Sequence, residues 1–162
     1  MTAEKDLYYE IEDSGNYIRI GINGLNFPNA KFDWDRNWIN TLIEVKAGAF
    51  SGSFNAELIT TDFEKYKNNL EIIYDNLNEK VEFKTIEGQI KIDIKGDGFG
   101  HFSAVCQLID KVGIGNKLEF DLNFDQTQIP KMIRQLEKII EIYPATGEFK
   151  NSIGKNTGAS NL

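Results

Sequence analysis

The stretch Lys117-Leu-Glu-Phe-Asp-Leu-Asn-Phe-Asp125 decides the fold. Leu118, Phe120, Leu122 and Phe124 alternate strictly with Lys117, Glu119, Asp121 and Asn123, the period of a strand with one face buried. Directly after it, Ile129, Ile133, Leu136, Ile140 and Tyr143 recur at helical spacing until Pro144 ends the run. A half-buried strand that gives way to an amphipathic helix indicates an antiparallel sheet covered by helices.

Working outward, the same plan extends in both directions. Phe102, Ala104, Cys106 and Leu108 form the preceding strand, and Ile90, Ile92 and Ile94 the one before it, returning from Val81 and Phe83 through the turn Glu87-Gly88. In the first half, Leu7, Tyr9 and Ile11 alternate with polar neighbours, as do Ile18, Ile20 and Ile22 beyond the Asp13-Ser14-Gly15-Asn16 turn, which reads as a hairpin. Ile43, Val45 and Ala47 begin a third strand that turns near Gly48, and Phe54, Ala56 and Leu58 face inward from a fourth. Thr61-Asp-Phe-Glu64 has the capping-box pattern, and Phe63, Tyr66, Leu70, Ile73 and Leu77 place a helix over 62–77. The expectation is an α+β fold with about eight strands in the order ββββα-ββββα and two amphipathic helices packed against mainly antiparallel sheet. No residue-level self-similarity accompanies the repeated order. Residues 1–147 are expected to form one domain and 148–162, rich in Gly, Asn, Ser, Thr and Lys, a flexible C-terminal tail.

Composition excludes several chemistries. The 162 residues carry a net charge of -7, which argues against direct nucleic-acid binding through phosphate contacts. The excess is concentrated: residues 1–64 hold 11 acids and 5 bases. One Cys and one His supply neither a disulfide nor a zinc cluster. His101 and Cys106 stand five apart on one strand, so they face opposite ways and form no nucleophile–base pair. No basic leader with an apolar run opens the chain, and no 18 apolar residues run together, so a cytoplasmic protein without a membrane segment is expected.

Asp33-Trp-Asp-Arg-Asn-Trp38 holds both tryptophans. Asp33, Asp35, Asn37 and Glu44 fall at calcium-loop positions, but Trp38 occupies the place of the essential glycine, so no metal is expected. Two readings stand: Trp38 plugs a core edge while Asp and Asn side chains bond the loop backbone, or Trp34 and its acidic neighbours face a partner. Gly96-Asp-Gly-Phe-Gly-His101 lacks the Lys-Ser/Thr and following helix of a phosphate cradle, and reads as a turn of close approach. Catalytic residues and cofactors are therefore not expected, although 25 acids leave a carboxylate-based enzyme or small-ligand protein open.

Asp35-Arg-Asn-Trp-Ile39, the hairpin Val45-Lys-Ala-Gly-Ala-Phe-Ser-Gly-Ser-Phe54, Gly115-Asn-Lys-Leu118 and Asp125-Gln-Thr-Gln-Ile-Pro130, in that order, resemble the WapI family of bacterial immunity proteins. The resemblance runs from about Asp6 to Pro144 and implies a cytoplasmic, non-enzymatic protein. Its implied role is to neutralise the C-terminal domain of a wall-associated polymorphic toxin, such toxins often being RNA-cleaving nucleases. A nuclease face is basic, so the partner surface is expected among Glu10, Glu12, Asp13, Asp33, Trp34 and Asp35, where an acidic field would steer a basic toxin domain. A monomer is slightly favoured. The competing reading is an intracellular scaffold domain without a toxin partner.

Overall fold

A computed structural model describes residues 7–147; the expected tail at 148–162 lies outside the described residues. Strands β1 (Tyr8–Asp13), β2 (Asn16–Leu25), β3 (Trp38–Ala47) and β4 (Phe50–Ile59) form one antiparallel meander in chain order. Strands β5 (Lys80–Lys84), β6 (Ile90–Gly96), β7 (His101–Ile109) and β8 (Lys117–Asp125) form a second. Helix α1 (Asp33–Arg36) is a single turn before β3, α2 (Thr60–Asp75) follows β4, and α3 (Ile129–Ile142) follows β8 through a 3-10 turn at Gln126–Gln128. The α+β architecture is the one the alternation predicts.

The helices exchange halves. Helix α2 leaves the first sheet and packs on β5 of the second, α3 leaves the second and packs on β1 of the first, and the two helices lie against each other. One apolar core results, to which both sheets and both helices contribute. Near its middle the Tyr9 and Tyr66 rings meet edge to face and Tyr66 stacks on Phe83, with centroids 5.2 and 4.5 Å apart. The two hydroxyls hydrogen-bond to each other at 2.5 Å, which satisfies two polar groups that water cannot reach.

Three local expectations are corrected. Strand β3 begins at Trp38, not near Ile43, because Thr41 occupies a core position and breaks the apolar pattern; its hydroxyl donates to the Ala56 carbonyl at 2.7 Å. The capping box does not form. Chain direction changes at Ile59, in extended conformation, so Thr61 is buried within α2 and Glu64 instead accepts the Ala145 N–H at 3.3 Å. On α3 the fully buried line is Ile129, Met132, Leu136 and Ile139, with Ile133, Ile140 and Tyr143 flanking it.

Gly96 answers the expectation of close approach: a Cβ there would lie 1.9 Å from the Leu77 carbonyl oxygen. No helix among the described residues is long and apolar enough to cross a membrane.

Candidate functional site

The six acidic and aromatic candidates divide between two ends of the first sheet. Glu10, Glu12 and Asp13 lie on β1, leading to the turn where Asp13 pairs with Asn16. Asp33, Trp34 and Asp35 form α1, beside the opposite end, where Leu25 pairs with Ile39. The nine residue steps of β2 between these ends span roughly 30 Å. The structure does not bring the two groups together.

Within the first group, Glu10 is only 3% exposed and is paired with Arg19, Nε to Oε2 2.6 Å. Arg19 in turn lies over the rings of Tyr8 and Tyr17. Burial and a hydrogen bond to Glu12 raise the Glu10 carboxyl above its ordinary value, and Arg19 pulls it back. The same hydrogen bond, with Lys131 nearby, lowers Glu12. Glu12 is exposed; Lys131 approaches its carboxylate at 3.8 Å. Asp13 accepts the Asn123 N–H of β8 at 2.9 Å. The main chain of β1 is closed off as well: Gln135 accepts the Glu10 N–H, and the Gln128 amide both accepts the Glu12 N–H and donates to the Glu12 carbonyl.

The second group is a clasp. Asn37 is fully buried, and its Nδ2 donates to the carbonyls of Asp33 and Thr146 at 2.9 and 3.2 Å. Its Oδ1 accepts the N–H and hydroxyl of Thr146 at 2.9 and 3.2 Å, so one side chain ties α1 to a segment 109 residues away. Trp38 is buried at the core edge with Trp34 edge-on to it, centroids 5.9 Å apart, and Asp33 pairs with Arg36. The structural reading of Asn37 and Trp38 thus holds, while Phe27, Phe32 and Trp34 leave aromatic surface exposed around the clasp.

Groups suited to covalent chemistry are dispersed. Burial pushes the Cys106 thiol up to about 12, and exposed His101 pairs with Asp97 at 3.0 Å, its Nδ1 to Oδ2. Among the described residues no cluster of three His, Cys, Asp or Glu side chains could hold a metal ion.

A second surface, which the sequence reading did not single out, borders β4. Two adjoining concavities of about 300 and 640 Å³ run along this strand and share Asp110. The smaller is floored by Val45, Phe54, Leu108 and Leu118; Glu57, Glu87 and Gln89 border the larger. The strand was legible over Ser53–Leu58 and begins earlier, at Phe50; its position at a sheet edge follows from topology alone.

The model of the immunity protein WapI-like family matches residues 10–144. A comparison with curated proteins returned no match. Ten solved chains match. One, from the crystal structures of Trypanosoma bruciei MRP1/MRP2, is 10% identical with a TM-score of 0.48, the match covering 86% of each chain. Another, WHY1 from Arabidopsis thaliana, is 14% identical with a TM-score of 0.47, and the match covers 100% of this chain and 98% of that one.

Proposed function

The chain belongs to the immunity protein WapI-like family, and from that premise we propose that it binds the C-terminal toxin domain of a cognate wall-associated polymorphic toxin and neutralises it in the cytoplasm of the cell that makes both. The family match, which spans nearly all of the described fold, carries this reading. Neutralisation is by binding, without a reaction catalysed by this chain. The toxin domain is a basic protein, in keeping with an RNA-cleaving nuclease, and the net charge of -7 supports attraction between the two. Of the acidic candidates, Glu12 offers an exposed carboxylate and Asp35 a half-buried one, whereas Glu10 is neutralised internally by Arg19.

The test is co-expression with the toxin domain encoded immediately upstream. Cells that make the toxin alone should stop growing, and cells that make both proteins should grow, with a stable complex recovered by size exclusion. Equal killing with and without this chain, and no complex between the purified proteins, would overturn the proposal.

A further inference from the structure

Each four-stranded sheet has two outer strands, and an outer strand offers unpaired N–H and C=O groups to any extended chain that approaches. Three of the four outer strands here are protected. Gln128 of the 3-10 turn and Gln135 of α3 bond the main chain of β1. On β8, Asp13 takes the Asn123 N–H and the exposed side chains Lys117, Glu119 and Asp121 are charged. Strand β5 is five residues long, with Lys80, Glu82 and Lys84 exposed. Short length, charge and cover are the usual devices against unwanted strand pairing.

Strand β4 uses none of them along its first half. It is ten residues long and opens Phe50-Ser-Gly-Ser-Phe54, without charge or proline. The Gly48-Ala49 turn is two residues long, which makes Ala47 and Phe50 a hydrogen-bonded pair. Alternation along the ladder then turns the main-chain groups of Gly52, Phe54 and Ala56 toward β3, and those of Ser51, Ser53, Asn55 and Glu57 outward. Among the described residues no strand pairs with that outward side. The two concavities provide room beside the strand: the smaller joins Phe54, Leu108 and Leu118 with Lys117, the larger holds Glu57 and Glu87 with Lys111, and Asp110 lines both, so carboxylates outnumber the cations.

We infer that the outer edge of β4 is the seat of an extended segment of the toxin domain, which adds as a fifth strand to the first sheet. The main chain of that segment pairs with Ser51, Ser53, Asn55 and Glu57. One of its apolar side chains fills the Phe54–Leu108–Leu118 concavity, and a Lys or Arg meets the carboxylates at the other end. Recognition by strand addition draws affinity from main-chain bonds and specificity from alternate side chains. This inference rests on the immunity reading and names its surface.

The experiment uses the full chain and the toxin domain encoded immediately upstream. Amide hydrogen exchange of the free protein should be fast at Ser51, Ser53, Asn55 and Glu57, and all four should become protected in the complex. Ser53→Pro removes an outward N–H and obstructs the approach of a strand, so it should weaken binding at least tenfold while β3–β4 pairing persists. If the complex forms without protection over 51–57, or Ser53→Pro binds like the parent, the edge assignment fails while the immunity reading stands. Protection already present in the free chain would assign the edge to the chain's own segments and also overturn it. If no complex forms, the immunity reading itself fails. Should Ser53→Pro not fold, the exchange measurement on the parent decides alone.

Discussion

Replacing Asn37 by Asp preserves shape and changes one group, the Nδ2 donor, into an oxygen that faces two carbonyls. Both donor bonds, to Asp33 and Thr146, are then lost, at about 1 kcal/mol each. A carboxylate at a fully buried position adds a desolvation cost of several kcal/mol, limited by the ease with which the group takes up a proton. If the folded-state value rises by about two to three pH units, the ionised form costs roughly 3–4 kcal/mol. The sign of the pH dependence follows directly. A carboxyl raised in the folded state destabilises once pH exceeds its unfolded value near 4, and the penalty is complete above the folded value. At pH 4 the neutral acid still donates one hydrogen bond, so the loss should shrink to about 1 kcal/mol. Thermal melting of Asn37→Asp at pH 7.5, with about 4–5 kcal/mol lost in all, should therefore fall by roughly 8–20 °C at about 2–4 °C per kcal/mol for a chain of this length, with much of the gap closing by pH 4. Proteolysis near Thr146 should quicken in parallel, because that segment is what Asn37 holds. A variant that melts within 2 °C of the parent at pH 7.5, with no pH dependence in the difference, would refute the clasp.

Four further outcomes are expected. Tyr66→Phe strands the buried Tyr9 hydroxyl and should cost about 1–3 kcal/mol in urea unfolding, while the Tyr9→Phe/Tyr66→Phe double variant should cost less than the sum of the singles. Asp62, raised to about 6 by burial despite Lys65 and with a buried Oδ2 that lacks a partner, opposes folding increasingly as pH rises from about 4 to 6. Asp62→Asn should thus stabilise by about 1–2 kcal/mol at pH 8, after discounting for partial exposure, and by almost nothing at pH 4. Trp38→Ala should destabilise by about 3–5 kcal/mol, and an unchanged melting temperature would place Trp38 outside the core. Association with the toxin domain, followed by stopped flow, should slow markedly by about 0.5 M salt as exposed carboxylates are screened; a salt-independent rate would remove steering as the cause.

Alternation of side chains carried most of the fold. Tyr9 and Ile11, Ile18 and Ile20, and Leu118 to Phe124 alternate because one face of each strand meets the core, a local property that survives in one dimension. Thr41 hid the start of β3 because its hydroxyl is satisfied by a carbonyl 15 residues away, which leaves no trace in local pattern. The capping box failed for a similar reason: Glu64 found a tertiary donor in Ala145. Trp38 and Asn37 were legible as structural candidates, but the Thr146 partner of Asn37 lies 109 residues on. The acidic group read as one surface is two, since strand length separates residues that sequence places about 20 apart. The β4 edge could not be read at all, because whether a strand is outermost depends on which other strands pair with it.

The exchange of helices between halves also sets a schedule for synthesis. Strand β1 emerges from the ribosome early, yet the Gln135 amide that closes its edge follows 125 residues behind Glu10. At translation rates of about 5–20 residues per second, that interval is roughly 6–25 s. Throughout it, β1 lacks α3, although Tyr66 of α2 can reach Tyr9 sooner, and the outer edge of the first sheet is an open template for neighbouring nascent chains. Chaperone engagement and polysome crowding should therefore act on this chain chiefly through β1, and a stop codon before Ile129 should yield an aggregation-prone fragment, not a half-active one.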